Sequence, residues 1–272
     1  MSRFEILCVT MHQNDFSKIE QMNIHSDVVF ANQADTTRFD EKEFNGHYAR
    51  MITTDTRGVG INRNLALIYA KGEICLFSDD DITYNDDVEK KVLAEFDTHP
   101  DADIIIFHLN SDDPTRTPKK YSKTKKHSRL KGLRWGATRV AFRLSAAKKA
   151  NLWFTTLFGG GCVFAAGEDS LWLNEARKKG LKFYVSKETI GNVSFESSTW
   201  FTGYDEKLFY GKGAFCAQKS PRFANIWPIY YVWRFINKKE LSSKEKYVWM
   251  KHGIKGYREM LSFNAYKEKY KL

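Results

Sequence analysis

The chain has 272 residues, of which 42% are apolar and 28% charged, with a formal net charge of +10. That length suits one large α/β domain with an appendage or two small domains, and the apolar fraction excludes wholesale disorder. There is no run of eighteen apolar residues to span a bilayer, and the isolated cysteines Cys8, Cys75, Cys162 and Cys216 lack the spacing of a disulfide frame or zinc site. From the N-terminus, Met1 to Glu5 lacks the basic-then-apolar order of a signal peptide, and the four cysteines read as buried thiols of a reduced compartment. Phe4 to Thr10 reads as an apolar strand, Phe16 to Met22 as a short helix, and Asp27 to Ala31 and Ala49 to Thr53 as further strands. Ile61, Leu65 and Ile68 share a helical face, with Gly72 as the stop. Glu73 to Phe77 is a buried strand, Asn85 caps a helix running to about Asp97, and Asp103 to His108 is another buried strand. This alternation predicts a largely parallel sheet with helices on both faces, whose ligands lie at the carboxyl ends of the strands. Asn110 to Arg129, with Pro114 and Pro118, reads as a long loop. Thr138 to Arg143 is a strand, Ser145 caps a short helix to Asn151, Leu171 to Lys179 is a helix stopped by Gly180, and Leu181 to Val185 is a strand. Beyond Asp205 the pattern is aromatic and helical.

Asp79, Asp80 and Asp81 stand at the carboxyl end of the strand that closes on Phe77. Adjacent like charges repel, and a hard divalent cation such as Mg²⁺ or Mn²⁺ removes that cost while bridging to phosphate oxygens. Side chains alternate along an extended strand, so Asp79 and Asp81 point one way and Asp80 another. The plain alternative is an acidic turn. Glu168 and Asp169 open a helix, where acidic side chains also suit the helix dipole. Gly159, Gly160 and Gly161 let a backbone approach a ligand closely, but no Lys-Ser or Lys-Thr follows to make a phosphate loop. The histidines show no metal spacing, and Trp135, Trp153 and Trp172 are read as packing residues before sugar-stacking ones. Charge is segregated. Arg116 to Lys149 holds thirteen Lys or Arg and no Asp or Glu, and residues 220–272 hold twelve against four, so the remainder of the chain is net acidic.

Asn62-Arg63-Asn64 opening a helix, then Ile74 to Asp81, then Gly167-Glu168-Asp169-Ser170-Leu171-Trp172 and Arg177 to Leu181, together resemble the inverting, metal-dependent, GT-A-fold glycosyltransferases of family 2. The resemblance covers residues 4 to 200, and the Phe158 to Asp169 run looks like members that build bacterial capsule or exopolysaccharide. It implies an α/β GT-A fold with a mostly parallel twisted sheet and a C-terminal helical extension. It implies a catalytic domain over residues 1–215, with a nucleotide-sugar-binding half (1–110) and an acceptor half (111–215), beyond which the residues themselves read as a basic aromatic helical tail over 216–272. Asp35 would contact the nucleotide base with help from Gln33, Arg63 would approach the diphosphate, Asp79 the ribose or base edge, and Asp81 the metal, Mn²⁺ or Mg²⁺. Asp169 would be the catalytic base, Glu168 would orient its loop or bind acceptor hydroxyls, and Gly160 and Gly161 would shape the acceptor side. One departure stands out: Phe195 occupies the place where many relatives carry a metal-binding histidine, with Glu196 beside it.

The expected activity moves a sugar from a UDP-hexose or similar donor to a saccharide or polyprenyl-linked acceptor, with inversion, in surface polysaccharide synthesis. The tail joins Trp227, Tyr230, Tyr231 and Trp233 to Arg234, Lys238 and Lys239, which suits an anionic membrane surface; a helical cap is the alternative. Cytoplasmic placement on the inner face of the plasma membrane follows as the expectation. A sugar-phosphate nucleotidyltransferase is a second reading, although Met11 to Asp15 lacks a glycine-rich phosphate loop. Nucleic-acid binding is a third, and the clustered carboxylates argue against it.

Overall fold

A computed structural model of the chain describes residues 3–112, 121–128, 132–133, 135–194 and 203–272. It divides into two compact units, residues 1–155 with 169–197, and residues 156–168 with 198–272.

The first unit is built on one mixed sheet. Its strands are β1 (Phe4–Met11), β2 (Asp27–Gln33), β3 (Arg38–Phe44), β4 (His47–Thr54), β5 (Ile74–Asp79), β6 (Ile82–Tyr84), β7 (Ile104–Ser111), β8 (Lys125–Lys126), β9 (Val140–Arg143) and β10 (Phe183–Val193). They lie in the order β3-β4-β2-β1-β5-β9-β7-β10-β6, with β8 on β10. β4, β2, β1 and β5 run parallel, as do β7 and β10, while β9 enters antiparallel between β5 and β7. Burial on both faces explains the near-continuous apolar runs of β1 and β5. Alternate residues divide between two cores. Leu7, Val9, Cys75 and Phe77 face one, with Trp172, Leu173 and Ala176 of α5 (Glu168–Lys178). Ile6, Cys8, Ile74 and Leu76 face the other, with Ile19 of α1 (Lys18–Gln21) and Val88, Val92 and Phe96 of α3 (Val88–Thr98).

β3, β6 and β8 were not expected from the sequence. β3 is highly charged and largely exposed, with no apolar alternation to mark it. Its signal is the two-residue Asn45-Gly46 turn into β4, where both residues adopt positive φ (49° and 79°), the geometry of a tight hairpin. Two caps were also misplaced. α3 begins after Asp87, and the Asn85 side-chain amide instead donates to Thr189 O at 3.1 Å. α4 (Leu144–Lys149) begins after Arg143, one residue ahead of Ser145.

β1 and β4 are tied, beside the end of α2 (Val59–Tyr69), by a buried ion pair that the sequence did not advertise. Glu5 pairs with Arg50 and also accepts from the Lys71 and Gly72 amides at 2.6 and 2.8 Å. Gly72 is required there, since a Cβ would stand 2.6 Å from Glu5 Cβ.

The second unit is helical: α6 (Glu206–Lys219), α7 (Trp227–Arg234), α8 (Ser243–Arg258) and α9 (Phe263–Tyr270). Ser242 and Glu245 form a reciprocal capping box at the start of α8. α6 and α8 cross at glycines: a Cβ on Gly213 would overlap Met250 O, and one on Gly253 would overlap Tyr210 O.

Candidate active site

Three polar residues open α2 inside an otherwise apolar pattern, and each makes a different long-range connection. Asn62 donates to Ala31 O at 2.7 Å and Thr10 O at 3.3 Å, gripping the carboxyl ends of β2 and β1. Asn64 exchanges two bonds with the Phe154 backbone, at 2.9 and 2.8 Å. Arg63, 3% exposed, is thereby aimed across the ends of the strands, its guanidinium 5.3 Å from the Phe154 ring centroid. One of its nitrogens donates to Asp79 Oδ1 at 3.0 Å and another to Asp169 Oδ1. The second oxygen of Asp169 accepts from the Ala137 amide at 3.0 Å. The arginine thus joins the acidic triplet to the first turn of α5.

The triplet itself does not continue the strand. β5 ends at Asp79, and Asp80 and Asp81 form the turn into β6. Strand alternation therefore does not set the directions of Asp80 and Asp81, contrary to the expectation from the sequence. Asp80 accepts from Thr10 Oγ1, and Lys18 Nζ donates to its backbone oxygen at 3.2 Å. Asp81 is an exposed residue, yet protein crowding its carboxyl, with Asp79 and Asp80 nearby, pushes it up to about 6.

The donor set suits a hard cation: carboxylate oxygens, with the Asp81 carboxyl held up by desolvation and by the charges of Asp79 and Asp80. Among the described residues no group of three or more His, Cys, Asp or Glu side chains is arranged to hold a metal. One or two carboxylates completed by substrate phosphate is a common Mg²⁺ arrangement, and the triplet fits that kind of site. Phe195 and Glu196 lie outside the described residues.

Gln33 and Asp35 stand apart from the bridge, at and just beyond the end of β2. Gln33 is buried and donates to Gly58 O at 3.1 Å, holding the approach to α2. Asp35 pairs with Arg57, whose guanidinium also donates to Ala34 O, Asp55 O and Thr56 O. Arg57 escaped notice in the sequence; its position just before the helix that carries Arg63 was the available signal. Gly160, Gly161 and Glu168 belong to the second unit. There Gly161 has φ 76°, and Glu168 accepts from the Gly167 amide at 3.0 Å. Trp172 is buried against Phe77, Phe142 and Phe154, which makes it a packing residue, as read from the sequence.

A family model described as Glycosyl transferase family 2 matches residues 23–166. No curated protein matches the chain in sequence. Among solved structures the chain is similar to residues 1–349 of S. aureus TarS. In complex with UDP that structure gives a TM-score of 0.62 at 13% identity, over 97% of this chain and 93% of that one. In complex with UDP-GlcNAc it gives 0.61 at 12% identity over the same shares. Against a longer TarS chain the score is 0.57 at 15% identity, covering 95% of this chain and 43% of that one. At such identities the likeness is one of fold.

Proposed function

The chain belongs to glycosyl transferase family 2 and has the GT-A fold, and on that premise we propose that it moves a hexose from a UDP-sugar to a saccharide or lipid-linked saccharide acceptor, with inversion, in building a surface polysaccharide. The TarS structures that hold UDP and UDP-GlcNAc support the choice of donor. Family membership favours this reading over a nucleotidyltransferase or a nucleic-acid-binding protein. Residues 1–110 serve as the donor half and 111–215 as the acceptor half, and the protein works at the cytoplasmic face of a membrane through residues 216–272.

The observation that carries the proposal is the Arg63 guanidinium held between Asp79 and Asp169. It links a carboxylate suited to the donor with one suited to the acceptor. Asp169, as an acceptor-only carboxylate, takes the proton of the attacking sugar hydroxyl. The new O–C1 bond forms on the face opposite the leaving group, and the electron pair of the breaking C1–O bond leaves with the diphosphate, inverting the anomeric centre. Asp79 contacts the ribose or base edge, and Asp81 would hold Mn²⁺ or Mg²⁺, which when bound would neutralise the charge on the departing diphosphate. Arg63, released from the two carboxylates, binds diphosphate oxygens. Asp35 and Gln33 receive the base, and Gly160, Gly161 and Glu168 border the acceptor.

Asp169→Asn keeps the shape and removes the base. Turnover should fall by about 10²–10⁴-fold while UDP, measured by calorimetry, binds at least as tightly as to wild type, because Arg63 is held less firmly. A variant that turns over at the wild-type rate would take Asp169 out of the reaction. The donor is identified by incubating the chain with Mn²⁺ and a panel of nucleotide sugars and measuring released nucleoside diphosphate.

A further inference from the structure

The second unit presents an apolar stripe toward solvent. Phe223, Ile226, Ile229, Trp233 and Ile236, on and beside α7, are 57% to 69% exposed. Their spacing of three, three, four and three residues keeps them on one side of the helical stretch. The other side is already occupied: Pro228 is buried, Tyr231 stacks on Phe235, and Phe235 meets Phe209 of α6 edge-on. Single exposed apolar residues are ordinary, but a continuous stripe of five calls for a partner.

The stripe is held in place and is no loose tail. Lys246, 1% exposed, reaches from α8 to the backbone oxygens of Phe235 and Lys238, closing the carboxyl end of α7. At the other end, Lys251 donates to Asn225 Oδ1 at 2.7 Å. Cations surround it. From Lys219 to Lys255 there are nine Lys or Arg and two acidic residues, and Arg222, Arg234, Lys238 and Lys239 are all exposed.

From this we infer that the stripe seats the protein in the headgroup layer of an anionic lipid bilayer, with Ile229, Trp233 and Ile236 inserted and Arg222, Arg234, Lys238 and Lys239 on lipid phosphates. This names the residues and lipid class behind the membrane-side acceptor proposed above, and rests on that reading only for its purpose. Aromatic and aliphatic side chains ringed by Lys and Arg are the composition of an interfacial helix. No described helix is long and apolar enough to cross a membrane, so the seating is at the surface. A second copy of this chain is the poorer occupant. A two-fold contact through the stripe would bring together two faces that are both ringed by exposed cations, and like charges across an interface are costly.

The test is flotation of the full-length chain with vesicles of phosphatidylcholine alone, and of phosphatidylcholine with about one third phosphatidylglycerol, at low and high salt. Wild type should float with the anionic vesicles at least about tenfold better than with the neutral ones, and lose that preference at high salt. Ile229→Glu with Trp233→Glu should lower flotation about tenfold, and Lys238→Glu with Lys239→Glu should abolish the preference for anionic lipid. These side chains are exposed, and an unchanged circular dichroism spectrum verifies the fold of each variant. Wild type that stays with neither vesicle, or a double Glu variant that floats like wild type, overturns the inference. So does a wild-type dimer in sedimentation velocity that the double variant disperses, which would assign the stripe to a second copy. Release of UDP from the donor, read without vesicles on the same preparations, separates the two ideas: flotation without turnover defeats the transferase reading alone, and turnover without flotation defeats this one alone.

Discussion

One guanidinium meets a carboxylate 16 residues away and another 106 residues away. Arg63, Asp79 and Asp169 were each legible as candidates from local motifs. That one would hold the other two was not, because a hydrogen bond across the fold leaves no local pattern, and the same is true of the Ala137 amide that fixes Asp169. The bridge depends on the planar fork of arginine, which offers separate nitrogens to the two acids. Lysine keeps the charge but brings it to a point and cannot span both. Arg63→Lys should therefore lower kcat/KM for the donor by about 10–100-fold and also lower the melting temperature, since one of the two carboxylates loses its partner. Steady-state kinetics and a thermal melt check this, and unaltered kinetics would show that the fork plays no part in transfer.

Among the elements, α2 illustrates how a sequence irregularity becomes a positioning device. Asn62 and Asn64 look out of place in an apolar helix until their bonds to β1, β2 and Phe154 are seen; they set the rotation of the helix and so the direction of Arg63. The reverse lesson comes from α6 and α8. Gly213 and Gly253 sit inside helices, where glycine normally costs about 1 kcal/mol relative to alanine, so Gly253→Ala ought to stabilise on propensity alone. The crossing reverses the sign, because the added methyl overlaps Tyr210 O. We expect Gly253→Ala to destabilise by about 1–3 kcal/mol, read as a lower urea midpoint with unchanged slope. A higher midpoint would mean that the helices do not meet there.

For the whole molecule, stability should carry the mark of Asp81. Its folded-state value of about 6 lies above the roughly 3.9 of an unfolded aspartate, so the folded chain holds more protons between those pH values. Stability contributed by the protonated form is fully present below about pH 4 and is lost as pH rises through about 6. Asp81→Asn removes that loss. It should raise the melting temperature at pH 7.5, match wild type at pH 4, and show none of the further rise that added Mn²⁺ is expected to give wild type under the proposed role of Asp81. The group is exposed, so solvent screening keeps the gain to a fraction of the roughly 1.4 kcal/mol that each pKa unit represents. Equal melting curves at pH 7.5 would show that the triplet bears no such charge cost. Much of this protein was determined by sequence alone. The β-α-β rhythm, the acidic triplet at a strand end, the Glu-Asp helix start and the basic aromatic tail are all local patterns of period, charge and composition, and they led to the family that the family model matches. Tertiary structure decided the rest: the antiparallel insertion of β9, the turn at Asp80, the Glu5–Arg50 pair, the joining of Asp79 to Asp169, and which side of α7 is left bare. The physical reason is range. Periodicity and capping act over a few residues and are written along the chain, whereas ion pairs, strand order and the choice of buried face are settled by groups that meet only once the chain has closed on itself.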